Sequence, residues 1–324
     1  MIWINVILFL SLHRKIYNDM IDKDFNSIIE LFEAFPDEQS CIDHLEELRW
    51  HGNVVSPFDP ESKVYKCKDN KYRCKNTGKY FNVKTNTLFD STKVSLRKWF
   101  AAIWLVTSHK KGISSAQLAR DIDVTQKTAW FMLQRIRNCF GIENENELNN
   151  TVEIDETYIG GKEKNKHADK KTEGSRGRST KDKVPVLGMI ERKGKLVAKV
   201  VENTTCAILT PQIVQYVKDA LIYTDEWWGY NSIRKLFQHQ NVHHKAKEYV
   251  RGDVYTNTIE GFWSLLKRGI IGIYHFTSKK HLQKYVDEFV FRYNTRKHTE
   301  CERFNLLLEN TEHRLTYKEL IYVG

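Results

Sequence analysis

The chain has 324 residues, 41% of them hydrophobic and 12% aromatic, which supports folded cores and excludes a disordered polymer. Lysine and arginine number 51 against 41 aspartates and glutamates, a formal net charge of +10 that favours a polyanionic partner, most simply nucleic acid. Six cysteines without a CxxC pair exclude a disulfide framework and suit reduced thiols in a cytosolic protein.

Met1 to Leu12 is mostly apolar but shorter than the roughly 20 residues of a bilayer span. It lacks a basic lead and a small-residue cleavage site, so neither a membrane anchor nor a signal peptide is expected. Met20 is expected as the working start, with residues 1–19 an upstream extension. Residues 20–52 read as N-terminal helices. Ile28, Ile29, Leu31, Phe32 and Phe35 end at Pro36, and a second helix runs through Cys41, Ile42, Leu45 and Leu48 to Trp50. Residues 53–90 read as a small β module, zinc-ribbon-like in outline, with strands at 63–67, 71–74 and 78–83. A ribbon takes two CxxC pairs. They would fall at Ser56-Pro-Phe-Asp59 and Cys74-Lys-Asn-Thr77, where only Cys74 is an ordinary zinc ligand. The module is degenerate and no zinc is expected, packing standing in for metal.

Residues 91–140 read as a helical region. Leu96, Trp99, Phe100, Ile103, Trp104 and Val106 give the helix at 93–110 a core face. A capped helix Ile113–Arg120, a turn at 121–123 and a helix Val124–Arg137 have helix-turn-helix spacing. Thr125, Gln126, Lys127 and Thr128 open the second helix and would face DNA. An ordinary helical hairpin is the alternative. Asn144–Asn150 is expected as a linker.

The region 150–300 is expected as a catalytic domain, with 301–324 a C-terminal tail. Thr151–Asp155 alternates as a strand that ends on an acid. Between 161 and 183 stand nine Lys/Arg and four Asp/Glu with no large apolar residue. That stretch reads as a mobile basic loop, either a solvated linker or, through residues such as Lys162, a phosphate-tracking arm. Strands at 184–191 and 195–201 form a hairpin, Pro211–Asp219 a helix, Leu221–Asp225 a second strand ending on an acid, and 241–249 a possible strand. Thr258 to Arg268 reads as a helix with Ile259, Trp263 and Leu266 on its buried face. Glu260 and Lys267 lie two turns apart and project from one side. The bland alternative makes Asn257-Thr-Ile-Glu260 a capping box. A last amphipathic helix carries Leu282, Tyr285, Val286, Phe289 and Tyr293.

Strand-Asp155, hairpin, helix, strand-Asp225 and helix-Glu260 is the element order of an RNase H-like α/β domain. Acids at strand ends sit where ligands of α/β sheets bind. Three converging carboxylates repel one another unless cations neutralise them, and hard oxygens suit Mg²⁺ or Mn²⁺. Two such ions serve phosphoryl transfer. Trp227, Trp228 and Tyr230 behind the second acid read as core packing, or as a stacking surface for a distorted DNA end.

The stretches Ile154-Asp-Glu-Thr-Tyr-Ile-Gly-Gly-Lys162, Thr224-Asp-Glu-Trp-Trp-Gly-Tyr230, Tyr255-Thr-Asn-Thr-Ile-Glu-Gly-Phe-Trp263 and Phe289-Val-Phe-Arg-Tyr-Asn294 resemble insertion-sequence transposases of the ISXO type, prokaryotic relatives of the Merlin elements. The likeness runs from about residue 45 to residue 297. It implies a DDE-type cut-and-join transposase, cytoplasmic and nucleoid-associated in a bacterium. Asp155 and Asp225 would take the first two catalytic and metal-binding places. Members use Glu, Asn or His in the third, for which Glu260 is the choice and Asn257 the rival. Lys267 at +7 fits the DDE-Lys/Arg pattern, and Arg268 would join it on DNA. The implied partners are the element's terminal inverted repeats and target DNA, bound by a homodimer or larger assembly. A decayed, purely DNA-binding relative and a metal-dependent nuclease that cuts without joining are the alternatives.

Overall fold

Small polar residues start the first helices and apolar spacing seats them. In a computed structural model that describes residues 24–160, 183–242 and 255–322, Ser27 caps α1 (Ile28–Ala34) and Asp37 closes a capping box with Ser40 on α2 (Glu38–Trp50). The expected upstream extension 1–19, Lys162 and the stretch 243–249 lie outside the described residues. Strands β1 (Val64–Lys66), β2 (Tyr72–Cys74) and β3 (Tyr80–Phe81) form an antiparallel sheet in that order. Beside it, burial raises the Cys74 thiol pKa, but hydrogen bonds from the hydroxyls of Ser56, Ser62 and Thr77 outweigh burial and hold it at about 6. Two of those hydroxyls, Ser56 and Thr77, occupy positions where a ribbon would carry ligand cysteines.

Helices α3 (Leu96–Ser108), α4 (Ser115–Asp121) and α5 (Gln126–Arg137) follow. Thr125 caps α5, and the turn before it carries Asp123 at φ 50°. These helices, the β module and α1–α2 share one core, which includes Trp99, Phe100, Phe25 and Phe35.

The remaining strands make one five-stranded sheet. They are β4 (Leu148–Gly160), β5 (Lys183–Glu191), β6 (Leu196–Val200), β7 (Val217–Thr224) and β8 (Gln238–Asn241), ordered β6-β5-β4-β7-β8. β4 pairs antiparallel with β5 and parallel with β7; β7 pairs parallel with β8. Helix α6 (Cys206–Tyr216) packs on one face through Leu209 and Ile213, against Val152, Ile154 and Ile222. Helices α7 (Asn257–Gly269) and α8 (Leu282–Asn294) cover the other through Ile259, Trp263, Leu266, Val286 and Phe289.

Several elements differ from the sequence reading. The expected linker at 144–150 is part of the fold: Asn144 is fully buried and its amide bonds both backbone groups of Ala198. Asn294 does the same for Leu196, and Gln283 accepts from Val200 N. Three amides thus satisfy the outer edge of β6, which would otherwise present open hydrogen-bonding groups. The helix expected at Pro211–Asp219 lies earlier, at Cys206–Tyr216, because Val217 already pairs with Leu148 as strand. The last strand among the described residues is Gln238–Asn241, and most of the stretch 241–249, read as a possible strand, lies outside them. The expected tail carries α9 (Glu300–Glu309) and α10 (Tyr317–Ile321), each opened by a Thr–Glu capping box. Phe304, Leu307 and Leu308 join the first core. No described helix is long and apolar enough to cross a membrane.

Candidate active site

β4 and β7 run parallel in a register that matches Thr151 with Leu221, Val152 with Ile222 and Glu153 with Tyr223. Each pair is 70 apart in sequence, and so are Asp155 and Asp225. Continued by two residues, the register brings those acids level on neighbouring strands, whose spacing is about 4.8 Å. Asp225 stands just past the end of β7 and accepts from Trp227 N at 2.9 Å. Both acids are partly buried. Burial, then the charges of Glu156 and Asp225, push the Asp155 carboxyl up to about 8, although Trp263 Nε1 donates to Oδ2 at 3.0 Å. Alternation turns Glu156 to the opposite sheet face, where Tyr230 donates its hydroxyl to Oε2 at 2.6 Å.

Two residues before Asp155, and on the same face, sits Glu153, which is fully buried. It accepts from Thr258 N at 2.9 Å, Ile259 N at 3.2 Å and the Thr258 hydroxyl at 2.8 Å, so the sheet itself caps α7. The Arg192 guanidinium balances the charge at 2.9 Å, donates to Tyr255 O, and lies between the rings of Tyr223 and Tyr255, 4.6 and 3.6 Å from their centroids. Gly188 pairs with Asp155 across β4 and β5, and Trp263 packs on it so closely that a Cβ there would meet the indole at 2.5 Å. Strand, clamp and close approach together fix the axis of α7 against the first acid.

Glu260 is exposed on α7, and its Oε1 accepts from the Thr256 hydroxyl at 3.1 Å. The alternative reading of Asn257 and Glu260 as a capping box does not hold: Thr256 precedes the helix and makes no side-chain cap bond to it. Asn257 is the first helical residue, exposed, and Glu153 serves the helix start instead. By helical angle Glu260 and Lys267 flank the side of α7 that carries Trp263, with Lys267 and Arg268 exposed. Among the described residues no group of three or more His, Cys, Asp or Glu side chains is arranged to hold a metal. The structure therefore brings Asp155 and Asp225 together and leaves Glu260 on the neighbouring helix flank. Magnesium ions are commonly held by one or two carboxylates with waters and substrate phosphates, so the hard-oxygen pair fits such an ion.

In the helical region, Thr125, Gln126 and Lys127 are exposed and Thr128 partly so. The Thr125 hydroxyl accepts from Thr128 N, Gln126 reaches Ser115, and the Lys127 ammonium lies 5.5 Å from the Tyr317 ring centroid on α10. Trp228 is 51% exposed, while Tyr230 is buried, so the aromatic cluster behind Asp225 divides between surface and core. Sequence reasoning missed Glu153, Arg192 and the indole donor on Trp263. An acid two residues before Asp155 on one strand face was the available signal for the first. Nothing local tied it to an arginine 39 residues away.

Residues 147–294 match the model of a family described as "ISXO2-like transposase domain". The chain is 29% identical over 276 residues to a Halobacterium salinarum protein described as "Uncharacterized protein in transposable element ISH50", a match covering 80% of this chain and 92% of that one. Among solved structures, a chain of a pre-cleavage Mos1 transpososome is 12% identical and covers 89% of this chain and 96% of its own. Its TM-score is 0.24, a superposition too poor to bear on the fold.

Proposed function

We propose that this chain, whose residues 147–294 form an ISXO2-like transposase domain, is an insertion-sequence transposase that cleaves element ends and joins them to target DNA. The observation that carries this is the parallel register of β4 and β7, which, continued two residues past Glu153 and Tyr223, sets Asp155 within β4 level with Asp225 just past the end of β7, close enough for the Asp225 charge to help push the Asp155 carboxyl up to about 8. Carboxylates held this close call for a cation, which can in turn hold a phosphate. The sheet order β6-β5-β4-β7-β8, with only β5 reversed, supports an RNase H-like core.

In this reading Asp155 and Asp225 hold Mg²⁺ or Mn²⁺, and Glu260 completes the set from α7, with Asn257 the rival. When bound, the cations neutralise the acids and activate the attacking oxygen. Trp263 holds Asp155 in place through its indole N–H, and the Glu153–Arg192 clamp holds the helix that supplies Glu260 and Lys267. Lys267 and Arg268 sit against phosphates near the cut. Water attacks phosphorus at the element end, the P–O3′ bond breaks and a 3′-hydroxyl is freed. That hydroxyl then attacks phosphorus of a target phosphodiester, forming a new P–O3′ bond as the target strand's own P–O3′ bond breaks and its 3′-hydroxyl leaves. Thr125, Gln126, Lys127 and Thr128 grip the terminal repeats, with Lys162 tracking the backbone, in an assembly of two or more chains that pairs the ends.

The test is incubation of the full chain, with Mg²⁺, on duplexes ending in the DNA that flanks its reading frame, together with plasmid target. Joined products are expected. Cleaved ends without joining would leave a nuclease, and retention without cleavage a DNA-binding protein.

A further inference from the structure

From Gly261 to Val286 the chain carries five Lys/Arg, at 267, 268, 279, 280 and 284, and no acid. Within this stretch α7 continues into a π-helical turn, Ile270–Tyr274, an element that is rare and is often found at functional sites. The next two residues reverse direction. His275 adopts φ 59°, ψ −45°, and Phe276 N bonds Tyr274 O at 2.6 Å across it, a γ-turn of the rare positive-φ kind. A β-carbon-bearing residue held there stores strain that the surroundings must impose.

Tyr274 anchors the turn on its inner side, and the His275 ring reaches back to Ile271 O at 3.2 Å. Tyr274 points inward, donates its hydroxyl to buried Glu288, stacks edge-on with Tyr285 at 4.8 Å, and fits against Gly112, where a Cβ would meet the hydroxyl oxygen at 1.9 Å. Phe276, two residues on, points outward and is 76% exposed, with Ile271 65% exposed beside it. Lys267, Arg268, Lys279 and Lys280, which precede and follow them in the chain, are also exposed. An anchored tyrosine, a strained turn and an exposed phenylalanine in a stretch of chain that carries five basic residues and no acid is a poor arrangement for stability. It suits a polyanion that offers an apolar face.

We propose that Phe276 is a wedge that stacks on an unpaired base at the frayed end of bound DNA, while Lys279, Lys280, Lys267 and Arg268 hold the flanking phosphates. Apolar side chains inserted at base steps and aromatic–base stacking are the two physical modes open to such a residue. Its position fits the chemistry. Trp263 touches Asp155, and Gly269 ends the helix six residues on, about 9 Å along the axis. The wedge therefore lies beyond the helix that flanks the acid pair, where a strand leaving the cut would separate. The proposal rests on the transposase reading and names how the site takes hold of its substrate.

The test compares the full chain on a forked duplex, with 2-aminopurine at the first unpaired position, and on the same duplex fully paired. The parent is expected to prefer the fork and to quench the 2-aminopurine. Phe276→Ala should bind the fork roughly five- to a hundredfold more weakly, and the paired duplex within about threefold of the parent. Phe276→Trp should keep both preference and quenching. Phe276 is exposed, so the alanine variant should fold, which circular dichroism checks. The proposal is overturned if Phe276→Ala binds and quenches as the parent does. It is overturned, with the transposase reading intact, if the parent joins ends but shows neither fork preference nor quenching. It falls together with that reading if the parent neither binds nor joins DNA. A change of sedimentation in Phe276→Ala with DNA binding unaltered would assign the face to a second copy of the chain, and would also overturn it.

Discussion

Asp155→Asn and Asp225→Asn are each expected to abolish cleavage and joining while leaving retention of end DNA nearly unchanged. Each substitution keeps the shape of the side chain and removes one charge from the pair. Interactions that stabilise developing charge at a cation site contribute several kcal/mol, and about 4 kcal/mol corresponds to a thousandfold in rate. The loss should therefore reach at least about a thousandfold in a single-turnover cleavage assay. The two variants should not behave alike in stability. Asp155 is the acid that burial, Glu156 and Asp225 push up to about 8. A carboxyl raised in the folded state binds a proton more tightly there than when unfolded, so it lowers stability as pH rises from the ordinary carboxylate range towards 8. Asp155→Asn removes that slope from metal-free thermal unfolding.

Gly188→Ala is expected to cut activity roughly a hundredfold without touching an acid. The added Cβ would lie 2.5 and 2.6 Å from two atoms of the Trp263 ring and 2.8 Å from Ile259 Cδ1. These are two of the residues through which α7 seats on the sheet. The helix must shift, and Trp263 carries the donor to Asp155 with it. Overpacking of this size costs about 1–3 kcal/mol, within what a domain tolerates, so the variant should still fold. A displacement near 1 Å at reacting groups is enough for about a hundredfold in rate. The check is the pair of readings, Tm against single-turnover rate. A large fall in rate with a modest fall in Tm is expected; a fall in Tm alone would mean that the seat of α7 does not govern the site.

What the sequence disclosed was set by local physics. Asp225 was legible because a strand that ends on an acid is a short-range pattern; the strand expected to end on Asp155 instead runs on to Gly160, because residues 156–160 keep pairing with β5, and the separation of 70 between the two acids equals the register offset of β4 and β7. The start of α7 was legible as a helix, but its cap was not. The cap comes from Glu153, 105 residues away from Thr258. Asn144 read as linker because a polar residue between elements ordinarily is one; only tertiary structure reveals an amide bonded to a strand edge. The two helices after residue 299 were legible and missed. Thr299 with Glu302 and Thr316 with Glu319 are capping-box pairs visible in the sequence. Pro211 misled in the other direction. Read as a helix start, it stands inside α6.

The central claim is that Asp155 and Asp225 together capture a divalent cation, and Mn²⁺ titration followed by electron paramagnetic resonance measures this directly. The full chain with end DNA should bind the ion with the signal of an oxygen-ligated site, and both Asp155→Asn and Asp225→Asn should lose it while still binding the DNA. Unchanged Mn²⁺ uptake in the two variants would contradict the account.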